Sequence, residues 1–347
     1  LKAGKFLEEC RARVAKVLNA RKPGEIVFTS GGTESDNAAI NGMGWGMREK
    51  HGRTGIVTCA IEHRAVLAPC DWLGTQGFKV TVLPVDANGR TRMDAARKAI
   101  NKDTALISVM IANNEIGTIQ PIAELARLAR DNGALIHTDA VQAAGKLELD
   151  VQKLDVDAMS LSAHKFYGPK GVGVLYLRDK TPYHTYMLGG THENNRRAGT
   201  VAVPQIAALT LALELADKKR KEKGDYLRGL RDQLVREVLA KVPGAHLNGD
   251  LAHSTLNTAS IRFDGVYGGF LLKRMDDAGI LASAGSACMW ERTKPSHVLN
   301  ALGLTEEQGS GTIRFSLGYT NTAAEVTKVA DTLAKLVPAL RNEPQPV

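Results

Sequence analysis

A lysine, a histidine and an aspartate near the middle of the chain have the types and spacing of a cofactor site. The segment Leu161-Ser-Ala-His-Lys165-Phe-Tyr-Gly-Pro-Lys170-Gly follows an apolar run, Val156 to Leu161. An earlier run, Ala134-Leu-Ile-His-Thr-Asp139, ends in a carboxylate. A carboxylate at one strand end can pair with a pyridinium nitrogen, and a lysine at the next can form a Schiff base. Pyridoxal 5'-phosphate (PLP) needs both. Lys165 and Lys170 compete for the role, and either also serves as a surface lysine in the Tyr-Gly-Pro-Lys-Gly turn. Lys165 stands nearer the strand end and His164, and is the choice here.

A phosphate would need its own cradle. Ser30-Gly-Gly-Thr33 lies between a strand and a helix, where glycines let backbone N–H groups approach an anion that the helix dipole favours. Alone it is an ordinary capped loop; beside a PLP-type lysine it reads as a phosphate site, with Ser162 and His164 as further donors. Gln142 is placed to reach a phenolic oxygen, or is a helix-surface amide. His63 ends a strand and can stack on a ring, although a lone histidine there is more often structural. Asn113-Asn114-Glu-Ile-Gly117 is a polar turn, with Asn114 beside substrate or cofactor as the functional alternative. Gly189 to Thr200 is long, polar and glycine-rich; burying it calls for an anion or a neighbouring subunit, and an exposed loop is equally compatible. Cys10, Cys59 and Cys70 fall in apolar patterns and read as small buried hydrophobes. Cys288 does not: small residues precede it and polar ones follow, which describes a mobile, exposed loop with a thiolate able to attack. Arg314 lies in a strand pattern and wants a carboxylate, from substrate or from an ion pair.

The elements that must position these residues alternate. Strands are expected at Glu25–Thr29, Gly55–Ala60, Lys79–Val85, Ala105–Ala112, Ala134–Thr138, Ala158–Ser162 and Val172–Leu177. Helices fall between most of them, including Glu34–Arg48, Ala65–Gln76 and Ile122–Asn132. This is an α/β pattern with a mostly parallel sheet, and ligands gather at the carboxyl ends of such strands. A long helix, Val203 to Lys223, leads to a second helix at Asp225–Lys241 and a smaller α+β domain. The expected division is a large PLP-binding domain at 1–220 and a small domain at 221–347 carrying the Cys288 loop. The opening segment, Phe6 to Leu18, already has a mid-domain helical face, so a preceding segment is expected to be missing.

At 347 residues, 44% hydrophobic and 24% charged, the composition is globular. No apolar stretch is long enough for a bilayer. The four scattered cysteines suggest neither disulfides nor a metal site, so a reducing cytoplasm is expected. The net charge of +8 is spread out apart from Lys218-Lys-Arg-Lys-Glu-Lys223. That run reads as a solvated helix end rather than a nucleic-acid surface, and the positive balance suits an acidic protein partner.

Taken together, Thr29-Ser-Gly-Gly-Thr-Glu-Ser-Asp-Asn37, Glu62-His63, Asn113-Asn-Glu-Ile-Gly117, Asp139-Ala-Val-Gln142, Ser162-Ala-His-Lys165, Arg197-Ala-Gly-Thr200, Gly285-Ser-Ala-Cys288 and Ile313-Arg-Phe-Ser-Leu-Gly318 resemble the cysteine desulfurases of the NifS/IscS type. These are fold-type I PLP enzymes. The resemblance runs from Phe6 to about Leu336. It implies a seven-stranded, mostly parallel large-domain sheet and a homodimer that takes sulfur from L-cysteine and leaves L-alanine. Lys165 would carry PLP, Asp139 its ring nitrogen, Gln142 its phenolic oxygen, and His63 would stack on the ring. Gly32, Thr33, Ser162 and His164 would hold the phosphate with the partner subunit's Thr200. Asn114 and Arg314 would orient the substrate. Cys288 would become a persulfide for an acceptor such as an iron-sulfur scaffold or a thiolation enzyme. The alternatives are a selenocysteine lyase, a desulfurase dedicated to tRNA or DNA thiolation, and an idle scaffold-binding homologue. Two substitutions depart from the pattern. Thr191-His-Glu-Asn194 lacks a family arginine, for which Arg196 or Arg197 would compensate, and Met289-Trp-Glu-Arg292 replaces small polar residues after Cys288.

Overall fold

The computed structural model describes residues 2–284 and 296–343. The chain divides into two compact units: residues 1–84, 91–112 and 120–222 form one, and 85–90, 113–119 and everything from 223 onward form the other.

The first unit is built on seven strands: β1 (Ile26–Thr29), β2 (Gly55–Cys59), β3 (Lys79–Leu83), β4 (Thr104–Ser108), β5 (Leu135–Asp139), β6 (Ala158–Ser162) and β7 (Gly173–Leu177). Their order is β1-β7-β6-β5-β4-β2-β3. Neighbours from β3 to β6 pair in parallel, whereas β7 runs against both β6 and β1. All seven strands follow the expected runs. The fourth stops sooner than its apolar sequence suggests, because Val109 to Ala112 continue as irregular buried chain. Both faces of the central strands are covered, so β4, β6 and β7 are buried along their whole length rather than alternating.

Three helices matter for the site: α1 (Lys2–Val17), α2 (Gly32–His51) and α3 (Arg64–Thr75). The apolar side of α2 buries Ile40, Met43 and Met47 with Val27, Ile56, Leu106 and Leu175 from the sheet and Val66 and Leu73 from α3. Its opposite side is stripped to glycine where chain crosses it. A Cβ on Gly46 would stand 2.5 Å from the carbonyl carbon of Pro182, and one on Gly42 would overlap the Tyr183 ring.

In the second unit, strands β8 (Ala245–Asn248), β9 (Thr258–Phe263), β10 (Ser283–Ala284) and β11 (Thr312–Ser316) form an antiparallel sheet ordered β10-β11-β9-β8. Ile261, Phe263 and Ile313 pack there against Leu271 and Met275, and against Val326, Leu333 and Val337 of the closing helix. One expectation is corrected. The two helices foreseen on either side of Gly224 are a single helix, Val203–Lys241, of 39 residues. A lone helical glycine costs about 1 kcal/mol and does not by itself end a helix.

Candidate active site

Four loops of the first unit carry the expected chemistry, each just beyond the carboxyl end of a strand. β1 hands over to α2 through Ser30-Gly-Gly, β2 to α3 through Glu62 and His63, β5 ends in Asp139, and β6 ends in Ser162 before the turn Ala163–Phe166 that bears Lys165.

The start of α2 and the end of β6 are in contact. A Cβ on Gly32 would come within 2.7 Å of Val141 Cγ2 and 3.3 Å of Ser162 Cβ. Only glycine lets the helix start lie this close to Ser162. The first N–H groups of α2 therefore open beside the Ser162 hydroxyl, which is 3.1 Å from His164 Nδ1. That donor set suits a phosphate.

Glu34 does not spoil this anion-binding end. It accepts from the Ser30 N–H (2.7 Å), the Tyr186 hydroxyl (2.6 Å) and Arg197 Nε (2.8 Å). Burial works against its charge, but Arg197, Ser30 and Tyr186 outweigh it and bring the carboxyl down to about 2.

Asp139 is 6% exposed and accepts from the Val141 N–H at 2.8 Å. Burial raises it to about 6, against the pull of that N–H and of Lys165. His63 caps α3, its Nδ1 accepting from the Ala65 N–H at 3.1 Å. Burial first, then Lys165, lowers its pKa. The Lys165 charge is thus felt at His63, Asp139 and His164, whereas that of Lys170 registers, after it, at His164. Lys165 itself is exposed because its turn lies past the strand end. Gln142 accepts from Lys146 Nζ at 2.8 Å through its carbonyl, which leaves its amide N–H groups to donate.

The segment Gly189 to Thr200 is largely exposed, and its buried carboxylate and two half-buried arginines have partners within the chain. Glu193, 6% exposed, accepts from Arg11 Nη1 (2.7 Å), Arg11 Nη2 (2.8 Å) and the Phe28 N–H (2.8 Å). Arg196 donates to the Gly24 carbonyl at 2.6 Å, and Arg197 is held by Glu34. Their partners lie far off in sequence, so spacing alone did not reveal them. Thr200, at the end of the segment, is exposed.

In the second unit Asn113 closes its turn by accepting from the Glu115 and Ile116 N–H groups at 2.8 and 3.0 Å. The turn chemistry expected of this segment thus belongs to Asn113, while the Asn114 carbonyl receives Arg314 Nη1 at 2.8 Å. Arg314 Nε is buried with no hydrogen-bond partner among the described residues. Burial lowers the Arg314 pKa in spite of Glu115. An orphaned guanidinium donor of this kind suits a carboxylate ligand.

Cys10, Cys59 and Cys70 are free and buried. Burial, with Glu62 adding to it, pushes Cys59 and Cys70 up to about 12, far from nucleophilic range. Cys288 lies outside the described residues.

Sequence reasoning missed a buried polar group under Asp139: Asp36, Glu62 and His137, respectively 1%, 0% and 0% exposed. The signal was present. Asp36 precedes Ile40 and Met43 by four and seven residues, so it occupies the core-facing stripe of α2. Among the described residues no cluster of histidine, cysteine, aspartate or glutamate could hold a metal, and no helix is long and apolar enough to cross a membrane.

The Aminotransferase class-V family matches residues 1–329. A cysteine desulfurase IscS of Methanosarcina thermophila is 47% identical over 332 residues, covering 96% of this chain and 81% of the relative. One from Dictyoglomus turgidum is 44% identical over 336 residues, covering 97% and 84%. Among solved structures, a NifS-like protein superposes with a TM-score of 0.89 at 37% identity, covering 98% of this chain and 89% of that one.

Proposed function

Since the chain belongs to the class-V aminotransferase family and is a cysteine desulfurase, we propose that Lys165 holds pyridoxal 5'-phosphate and that Cys288 takes the substrate's sulfur. The family is PLP-dependent. When bound, the cofactor supplies an electron sink that acidifies the substrate's Cα–H and lets the Cβ–S bond break. The observation that carries the reading is the meeting of the α2 start, Ser162 and His164 in the same unit as Asp139 and a lysine whose charge reaches it.

In this reading Gly32, Thr33, Ser162 and His164 bind the phosphate with the partner subunit's Thr200. Asp139 pairs with the ring nitrogen, Gln142 donates to the phenolic oxygen and His63 stacks on the ring. A histidine with a lowered pKa stays neutral at pH 7 and does not repel a cationic ring. Arg314 and Asn114 bind the carboxylate of L-cysteine. The Lys165 amine moves the Cα proton. The Cys288 thiolate attacks the substrate sulfur; an S–S bond forms, the Cβ–S bond breaks, and its electron pair stays with the carbon that becomes the methyl of L-alanine. The persulfide then passes to an acceptor protein, an iron-sulfur scaffold or a thiolation enzyme. The high thiol pKa of Cys59 and Cys70 supports Cys288 as the carrier. Exposed Tyr167 and Leu188 support a homodimer, and the free cysteines support a cytoplasmic site.

The test uses purified protein with pyridoxal phosphate and L-cysteine. We expect visible absorption from bound cofactor and reductant-dependent sulfide release. Lys165→Ala abolishes the normal band, whereas Cys288→Ala keeps the band and loses sulfide release. Full sulfide release by Cys288→Ala rejects Cys288 as the carrier, and a colourless protein that takes up no cofactor rejects the reading as a whole.

A further inference from the structure

We propose that Asp36 is a positioning residue for Asp139: it stands as a neutral carboxylic acid between α2 and the sheet, so that negative charge rests on Asp139, where the proposed function places the cofactor's ring nitrogen. The inference rests on that reading for its purpose, but not for the proton itself.

The geometry is that of an acid rather than an anion. Asp36 is 1% exposed, and its Oδ1 has no hydrogen-bond partner among the described residues. Its one ion-pair contact among the described residues is with His137 Nε2, at 3.7 Å. That ring offers no charge: burial drives its pKa down to about 3. Both of its nitrogens are occupied, Nδ1 with Ser108 Oγ and Nε2 with Ser160 Oγ, each at 2.9 Å. A carboxylate buried here would have neither a cation nor a set of N–H donors to offset its lost hydration.

As an acid, Asp36 fits. Ser160 faces it as a hydrogen-bonding group; as a donor it would favour the anion, but burial first, then Asp139, outweigh it. If the Asp36 O–H donates to Ser160, the Ser160 hydroxyl donates to His137 Nε2, and His137 Nδ1–H donates to Ser108. Each of the three then gives one proton, and the chain runs across β6, β5 and β4. Asp139 pairs in register with Ser160 and lies two residues beyond His137 on the same strand face. The groups facing Asp36 are therefore His137 and Asp139 from β5, Ser160 from β6, and Glu62 from beyond β2. Two of them add to what burial does: Asp139 and Glu62 both raise its pKa further. Asp139 differs in having a backbone N–H and Lys165 on its side. Of the two aspartates, Asp139 is the one equipped to hold charge.

Infrared spectroscopy of the cofactor-free protein at a pH above the Asp139 titration reads the proton directly. We expect protonated-carboxyl carbonyl absorption in the wild type, part of it from Glu62, whose carboxyl burial also raises well above the usual range, and loss of the Asp36 component in Asp36→Asn. Ser160→Ala, which keeps the acid but removes its acceptor, should retain that band and shift it to higher frequency. With cofactor bound, Asp36→Asn should leave unchanged the pH at which the visible band alters, because Asn replaces an uncharged group. An Asp36 that was ionised and merely structural would contribute no infrared band, and its removal would move that pH. Retention of the full band in Asp36→Asn, an unmoved band in Ser160→Ala, or a displaced visible titration overturns the proposal. Failure of the proposed function is distinguishable: a colourless protein rejects the cofactor, and an Asp139→Asn variant that binds cofactor with the wild-type spectrum rejects the role of Asp139, whatever the infrared result.

Discussion

Glu34 and Asp36 are two residues apart on the first turns of α2, and the fold treats their carboxyls in opposite ways. Glu34 is met by an arginine, a tyrosine hydroxyl and a backbone N–H and is brought down to about 2. Asp36 points into the seam between helix and sheet and is raised well above the usual aspartate range, by burial and then by Asp139. Both lose water. What separates them is the supply of donors: three for Glu34, one of them a cation, against a neutral imidazole at 3.7 Å and a hydroxyl already engaged with it for Asp36. Desolvation sets the cost of a buried charge, and local donors decide whether it is offset.

Asp139 offers the most forceful way to sharpen this contrast, because it combines the burial of Asp36 with the charge that the proposed function asks of it. Its raised pKa means that the folded state penalises the anion. The penalty is full above about 6 and is relieved as pH falls toward the ordinary aspartate value of 3.8. Asp139→Asn should therefore stabilise the cofactor-free protein at pH 8 by on the order of 1–3 kcal/mol, an advantage that shrinks toward pH 4. Desulfuration should fall by about 10²–10³-fold, the scale of losing one well-placed electrostatic group. Thermal melts across pH and a sulfide assay measure the two, and a destabilised variant would break the argument.

Glu34→Gln comes next, with the opposite sign. The depressed pKa gives stability that is complete above 4.5 and is lost as pH falls through about 2. The variant should cost roughly 1–2 kcal/mol at pH 7 after allowing for partial exposure, and should converge on the wild type in acid. A pH-independent difference in urea unfolding would mean that packing, not charge, holds Glu34. Smallest is Asp36→Asn, for which we expect a change within about 1 kcal/mol and flat across neutral pH. A large, pH-dependent change in the same titrations would show that Asp36 is ionised and erase the contrast.

Most of the fold was legible because its signals are local. Seven apolar runs bounded by turn residues became the seven strands of the large sheet. Chemistry-bearing residues placed at strand ends by sequence are found at strand ends. Legibility failed where partners are distant. Nothing in the sequence around Glu193 announces that its carboxylate belongs to Arg11, or that Arg197 is committed to Glu34. The Val203–Lys241 helix runs unbroken through Gly224 because the good helix formers on both sides outweigh the cost of a glycine.

The reversed strand β7 has a consequence for how the protein comes into being. Thr29 pairs with Gly173, and a side chain on Gly173 would strike the backbone of Gly31. The loop that starts α2 leaves the ribosome early, yet the wall it leans on arrives only with β7. At usual synthesis rates that interval is on the order of 10 s. Over that time β1 waits as an apolar strand without its neighbour, and the anion-binding end of α2 has no opposite side. The pairing that backs the glycine loop is therefore complete only once β7 has been made, and a chain interrupted before residue 173 carries the loop without that wall.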